Sequence, residues 1–139
     1  MTAGRRSGVL AAALALALAL AGCFDVQAPD LFLLTRRGPS GTLTLLVNYG
    51  GTISCNRHRA KSIPDAMLIQ ARDLADSLIS DASRSLTIAR TPHAIDYFRI
   101  EMQQGTISFP DSAGATHPAL AQAELFTVSV AQRICRLPG

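Results

Sequence analysis

The sequence predicts an α+β domain in which an antiparallel sheet of four to five strands carries two helices on one face. Three observations predict it. Short segments rich in β-branched residues come in pairs around glycine turns, at 42–55 and 95–109. Between those pairs lies a segment of about twenty residues with a helical apolar period. The motif Gly51-Thr52-Ile53-Ser54 recurs 54 positions later as Gly105-Thr106-Ile107-Ser108, and the same offset carries Ser62 onto Thr116 and Pro64 onto Pro118. Two ββα units in tandem fit that recurrence.

The elements follow in chain order. Asp30 to Arg36 contains Leu31, Phe32, Leu33 and Leu34, a short apolar run that reads as a buried strand at an edge of the sheet, and Arg37-Gly38-Pro39-Ser40-Gly41 ends it in turn residues. Thr42 to Tyr49 and Thr52 to Cys55 flank Gly50-Gly51 and read as a hairpin. Ser62-Ile63-Pro64-Asp65 sets a hydroxyl three residues ahead of an acid, with proline between them, which predicts a capped helix start at Ser62. From there to about Ser83, Met67, Ala71, Leu74 and Leu78 share a face with Leu68, Ala75, Ile79 and Ala82, opposite Gln70, Asp73, Asp76, Ser77 and Ser80. Ile95 to Met102 alternates, with Phe98, Ile100 and Met102 on one side and Tyr97, Arg99 and Glu101 on the other. Gln103-Gln104-Gly105 turns the chain back through Thr106 to Phe109. In Thr116 to Ile134 the stretch from Thr127 to Val130 has strand propensity, but Ala119, Ala123, Phe126, Val130 and Ile134 keep a helical spacing, and the segment is read as helix.

The chain has 139 residues, and its first 22 have a different character from the rest. Arg5 and Arg6 stand in a stretch without acids, and residues 9–21 form an unbroken run of Ala, Leu and Val. As a helix, thirteen residues reach about 20 Å, short of the ~30 Å hydrocarbon core of a bilayer. The run ends in Leu20-Ala21-Gly22-Cys23. That sequence resembles the lipobox of bacterial lipoproteins: a branched apolar residue, two small residues, then cysteine. The resemblance covers residues 1–23 only. It implies that residues 1–22 are a signal peptide and that Cys23 becomes the lipidated N-terminus. It also implies that the rest of the chain lies on the extracytoplasmic face of the cell membrane; residues 23–29, with Pro, Gln and Asp and no period, read as a tether, and residues 30–139 are of a length for a single domain. Two acyl chains are enough for stable anchoring, at about 0.8 kcal/mol per buried CH₂.

With Cys23 assigned to lipid, Cys55 and Cys135 remain, an even pair in an exported protein and an expected disulfide. Charge narrows the function classes. There are 13 Lys and Arg against 10 Asp and Glu; without Arg5 and Arg6, 11 against 10 leave one net positive charge and a single lysine, Lys61. A protein that binds nucleic acid through phosphates needs a clustered basic excess, so nucleic acid is not an expected partner.

The densest polar cluster is Asn56-Arg57-His58-Arg59-Ala60-Lys61, just ahead of the first helix. Arg57, His58, Arg59 and Lys61 are candidate contacts for an anionic envelope polymer, phospholipid headgroups or an acidic patch on an envelope protein. No nucleophile elbow, phosphate-binding loop or His-Glu-x-x-His motif is present. His58, His93 and His117 lack metal-ligand spacing, so no metal and no cofactor is expected. Asp96 and Glu101 are the only acid pair weighed as a glycosidase site. The expected role is therefore binding or positioning rather than catalysis. Two other classes stand beside it: a small inhibitor-like domain presenting the loop from Arg36 to Gly41, and an envelope hydrolase whose site carries no recognisable motif.

Overall fold

The computed structural model describes residues 30–137; the expected leader, Cys23 and the tether lie outside the described residues. Six strands form one antiparallel sheet: β1 Asp30–Gly38, β2 Gly41–Asn48, β3 Thr52–Cys55, β4 Lys61–Ser62, β5 Tyr97–Met102 and β6 Gly105–Pro110. Two helices, α1 Asp65–Ser83 and α2 Pro118–Val130, complete an α+β domain. The spatial order is β4-β3-β2-β1-β5-β6.

The first strand is central, not at an edge as expected. It pairs with β2 on one side, Leu34 opposite Leu45, and with β5 on the other, Leu34 opposite Ile100. The reason lies in its composition. Phe32, Leu33 and Leu34 are all buried: Phe32 and Leu34 face the core, and Leu33 on the other face is flanked by Leu46 of β2 and Glu101 of β5, shielding on two sides that an edge strand lacks. The edges are short or covered instead. β4 is two residues long and pairs with Thr52 and Ile53 of β3. Beyond β6, Leu86 and Ile88 exchange hydrogen bonds with Ser108 in a short parallel bridge.

Both hairpins appear where the glycines predict them. Gly51 closes the β2–β3 turn with φ +87°, and Asn48 steadies it by accepting a hydrogen bond from Gly50 N at 2.8 Å. In β5, Phe98, Ile100 and Met102 are buried, and Phe98 stacks on Phe109 of β6 with ring centroids 5.2 Å apart.

α1 buries Met67, Ala71, Leu74, Ala75, Leu78 and Ala82 as its period requires, while Ile79 sits at the exposed margin. Its start differs from expectation. Ser62 belongs to β4, Pro64 is the N-cap residue and no side chain caps the helix. The residue before a proline is pushed out of the α region, so Ile63 stays extended, buries its side chain and donates its N–H to Gly51 O at 3.1 Å. The helix can begin only after the proline. Pro64 O then accepts from Met67 N and Leu68 N.

α2 confirms the helical reading of the last segment. Thr127, the residue most suggestive of a strand, is fully buried, and its hydroxyl donates to Ala123 O at 2.7 Å one turn earlier. The helix continues through a wider π-helical turn, Ala131–Cys135, and stops at Arg136, whose φ is +55°. α1 runs from the Gly51 turn to Gly105, against which Ala82 O packs, and α2 runs back from the end of β6 to Cys135, bonded to Cys55 on β3. The two helices thus cross the same face of the sheet in opposite directions. Phe32 of β1 meets Phe126 of α2 edge-on at 5.9 Å inside the shared core.

Candidate functional site

The basic cluster is built on the β3–β4 connection. β3 ends at Cys55, and the chain reverses through Asn56 and Arg57, both left-handed with φ +48° and +65°, so that His58 N reaches Cys55 O at 2.9 Å. Asparagine tolerates that conformation and pins the turn from both sides. Its N–H donates to Thr44 O at 2.7 Å and its Oδ1 accepts from Thr44 N at 2.8 Å. Ser54 Oγ donates to His58 O on the same loop. Arg57, His58, Arg59 and Lys61 are all exposed on this anchored turn.

The Cys55–Cys135 disulfide, with Cα atoms 5.9 Å apart, brings the end of the chain to that loop. Lys61 Nζ donates to Ile134 O at 3.0 Å across the same junction. Arg133 and Arg136, both exposed, flank Cys135 and thereby join the four residues singled out by sequence. Basic residues from two segments about 75 residues apart in sequence are thus brought to the same junction of the fold. Sequence reasoning missed Arg133 and Arg136, although the signal was present: residues beside one half-cystine must lie beside those flanking the other.

At the far end of the sheet, three carboxyls gather. Asp111 Oδ2 accepts from Ile95 N and Asp96 N at 3.1 and 3.2 Å, and Asp111 N donates to Asp96 O. Nearby Glu124 has its carboxyl pushed up to about 7, first by burial and then by the charges of Asp111 and Asp96. Its buried Oε1 has no hydrogen-bond partner, and Gly114 leaves the space it occupies. A carboxyl of this kind can hold a proton near neutral pH. The inter-helix groove, the hollow beside Asp30 and the hollow beside His93 are lined by residues other than Glu124.

The remaining candidates fall apart in space. Glu101 pairs with Arg99 at 3.1 Å on the sheet's open face, whereas Asp96 packs against Gly38 just ahead of the same strand, so the two are not placed as facing carboxyls around a substrate. His58 is on the basic loop, His93 in the connection before β5, and His117 caps α2, its Nδ1 2.9 Å from Thr116 Oγ1. Among the described residues no group of three His, Cys, Asp or Glu side chains is arranged to hold a metal ion. The segment from Arg36 to Gly41 is the closed tip of the β1–β2 hairpin, with Pro39 and Ser40 as its turn. Arg37 is exposed there, but Arg36 lies on the core side with Nε buried.

The chain matches no family model, and neither a curated protein nor a solved structure is significantly similar to it. Among the described residues no helix is long and apolar enough to cross a membrane.

Proposed function

We propose that this chain is a lipid-anchored domain on the extracytoplasmic face of the cell membrane that binds an anionic component of the envelope without transforming it. One observation carries the binding part of the reading. A disulfide and the Lys61–Ile134 hydrogen bond gather Arg57, His58, Arg59 and Lys61 with Arg133 and Arg136, concentrating charge in a chain whose overall balance after residue 22 is nearly neutral. The anchoring part rests on the lipobox-like Leu20-Ala21-Gly22-Cys23. The tether from Cys23 to Asp30 spans at most about 24 Å, which keeps the basic patch within reach of headgroups and membrane-linked anionic polymers.

Both parts are tested separately. A tagged fatty acid should label the parent and fail to label Cys23→Ala; equal labelling of the two removes the anchor. Vesicles of phosphatidylglycerol and phosphatidylcholine should retain the protein more strongly than phosphatidylcholine alone, with retention falling as salt rises toward ~0.5 M. A variant with Arg57, Arg59, Lys61 and Arg133 replaced by Gln should lose that difference. Unchanged retention would take the patch out of the functional account.

A further inference from the structure

The two-helix layer carries a groove that shares one residue, Arg133, with the basic patch. The outward side of α2 mixes polar and apolar residues: Leu125 and Val128 are exposed to solvent beside Gln122 and Ser129. Leu125 is 70% exposed there, and Ile69 on α1 is exposed as well. Next to Leu125 a groove of about 460 Å³ runs between the helices, floored by the buried side chains of Leu74 and Phe126. Asp73 stands on its α1 wall and Arg133 on its α2 wall, and the two form no ion pair with each other.

We propose that this face is the self-association surface of the protein and that a second copy of the chain covers it. A two-fold contact is made by one patch meeting itself, so the patch must hold both partners of every interaction. This one does. It presents an apolar knob, Leu125, and a hollow with an apolar floor, Leu74 and Phe126, and a polar rim, whose volume is several times that of a leucine side chain. It also presents one acid and one base, so an antiparallel pair of copies sets Asp73 of each against Arg133 of the other. An anionic or a cationic partner would satisfy only one of those charges. A layer about 28 Å long and two helices, or about 20 Å, wide has a footprint of roughly 560 Å², which gives about 1,100 Å² for the pair. That lies at the small end of specific interfaces and defines a weak, reversible dimer. Arg133 sits in both the groove and the basic patch, so dimerisation places the patches of two copies in one assembly.

The test is site-specific photocrosslinking of the full chain in the cells that make it, with p-benzoylphenylalanine in place of Leu125. The expected product has twice the protomer mass and contains only this chain. The same probe at Ile95, which is 63% exposed but lies outside the helix layer, should give no such product. Asp73→Arg should cut the Leu125 yield at least fivefold, and adding Arg133→Asp to it should restore the yield, because the reversed pair attracts again. An intact Cys55–Cys135 bridge in each variant shows that the fold is retained. Adducts to lipid or to another protein, no product at Leu125, or a double variant no better than Asp73→Arg would each overturn the proposal. The Leu125 product and its loss in Asp73→Arg are read without altering Cys23 or any residue of the basic patch, and only the Arg133→Asp arm touches that patch.

Discussion

Replacing Glu124 by Gln should make the protein more stable at pH 8 and leave it nearly unchanged at pH 4. The folded protein holds the Glu124 carboxyl at about 7 against an ordinary value of 4.5, because burial comes first and the carboxylates of Asp111 and Asp96 add to it. Between those two values the folded state binds more protons at this site than the unfolded state does. Stability must therefore fall as pH rises through that window, and the contribution is fully present only below about 4.5. Fully realised, the difference would be about 3.5 kcal/mol at ~1.4 kcal/mol per pH unit. Glu124 is only partly buried, so solvent screens the carboxylate and roughly 1 kcal/mol is the expected size. Gln keeps the volume beside Gly114 and removes the charge. Urea unfolding of parent and variant at pH 4, 5.5, 7 and 8 isolates the effect, since the other groups titrate alike in both and cancel in the difference. The variant's advantage should grow from near zero to about 1 kcal/mol. A flat difference, or one that grows toward acid pH, would refute the assignment of a protonated carboxyl to this site.

Three further perturbations test the architecture. Replacing Cys55 and Cys135 by Ser should cost about 4 to 5 kcal/mol, the loop-closure entropy for a separation of 80 residues, and alkylation of denatured, unreduced protein should find neither thiol free. Leu78→Ala should cost about 2 to 5 kcal/mol in urea unfolding, because Leu78 is fully buried between α1 and the sheet and its loss leaves a cavity. Gly105→Ala should be far worse than Gly41→Ala: both glycines have positive φ, but a Cβ on Gly105 would lie 2.2 Å from Ala82 O, whereas nothing lies within 4 Å of one on Gly41. Equal melting temperatures for those two variants would contradict the packing of α1 against the β5–β6 turn.

What was legible in the sequence was whatever obeys a local period. The alternation of Phe98, Ile100 and Met102 and the spacing of Leu74, Ala75, Leu78 and Ala82 each name the face that is buried. What was not legible depends on partners remote in sequence. Nothing within Asp30 to Arg36 says which strands flank it, although its unbroken apolar run called for cover on both sides. The Ser62 cap failed because Pro64 acts on Ile63 and Gly51 O competes for the Ile63 amide. The basic patch was half legible: the loop from Asn56 to Lys61 stands out as a charge cluster, while Arg133 and Arg136 acquire meaning only once Cys135 is joined to Cys55.

The 54-residue recurrence shows how far such a signal reaches. It maps Gly51 onto Gly105, both with positive φ, and Ile53 onto Ile107, both fully buried, so the turn and the second strand of each hairpin recur in structure as in sequence. The first strands do not. The same offset maps the inward Leu45 and Val47 of β2 onto Arg99 and Glu101 of β5, which form an ion pair on the opposite face. The pairing explains the inversion: Asn48 faces Thr52 across three intervening residues, whereas Met102 faces Gly105 across two, and a one-residue change of register turns a strand over. The topology demands such a change. β2 and β5 are both antiparallel to β1 and hence parallel to each other, yet β3 lies to one side of the pair and β6 to the other, with both helices on the same face. Units so arranged differ in hand, and no rotation superimposes them. Two ββα units therefore follow one another along the chain without a symmetry axis between them, and the slip in register at the second turn is what allows one sequence pattern to fill both halves of a single core.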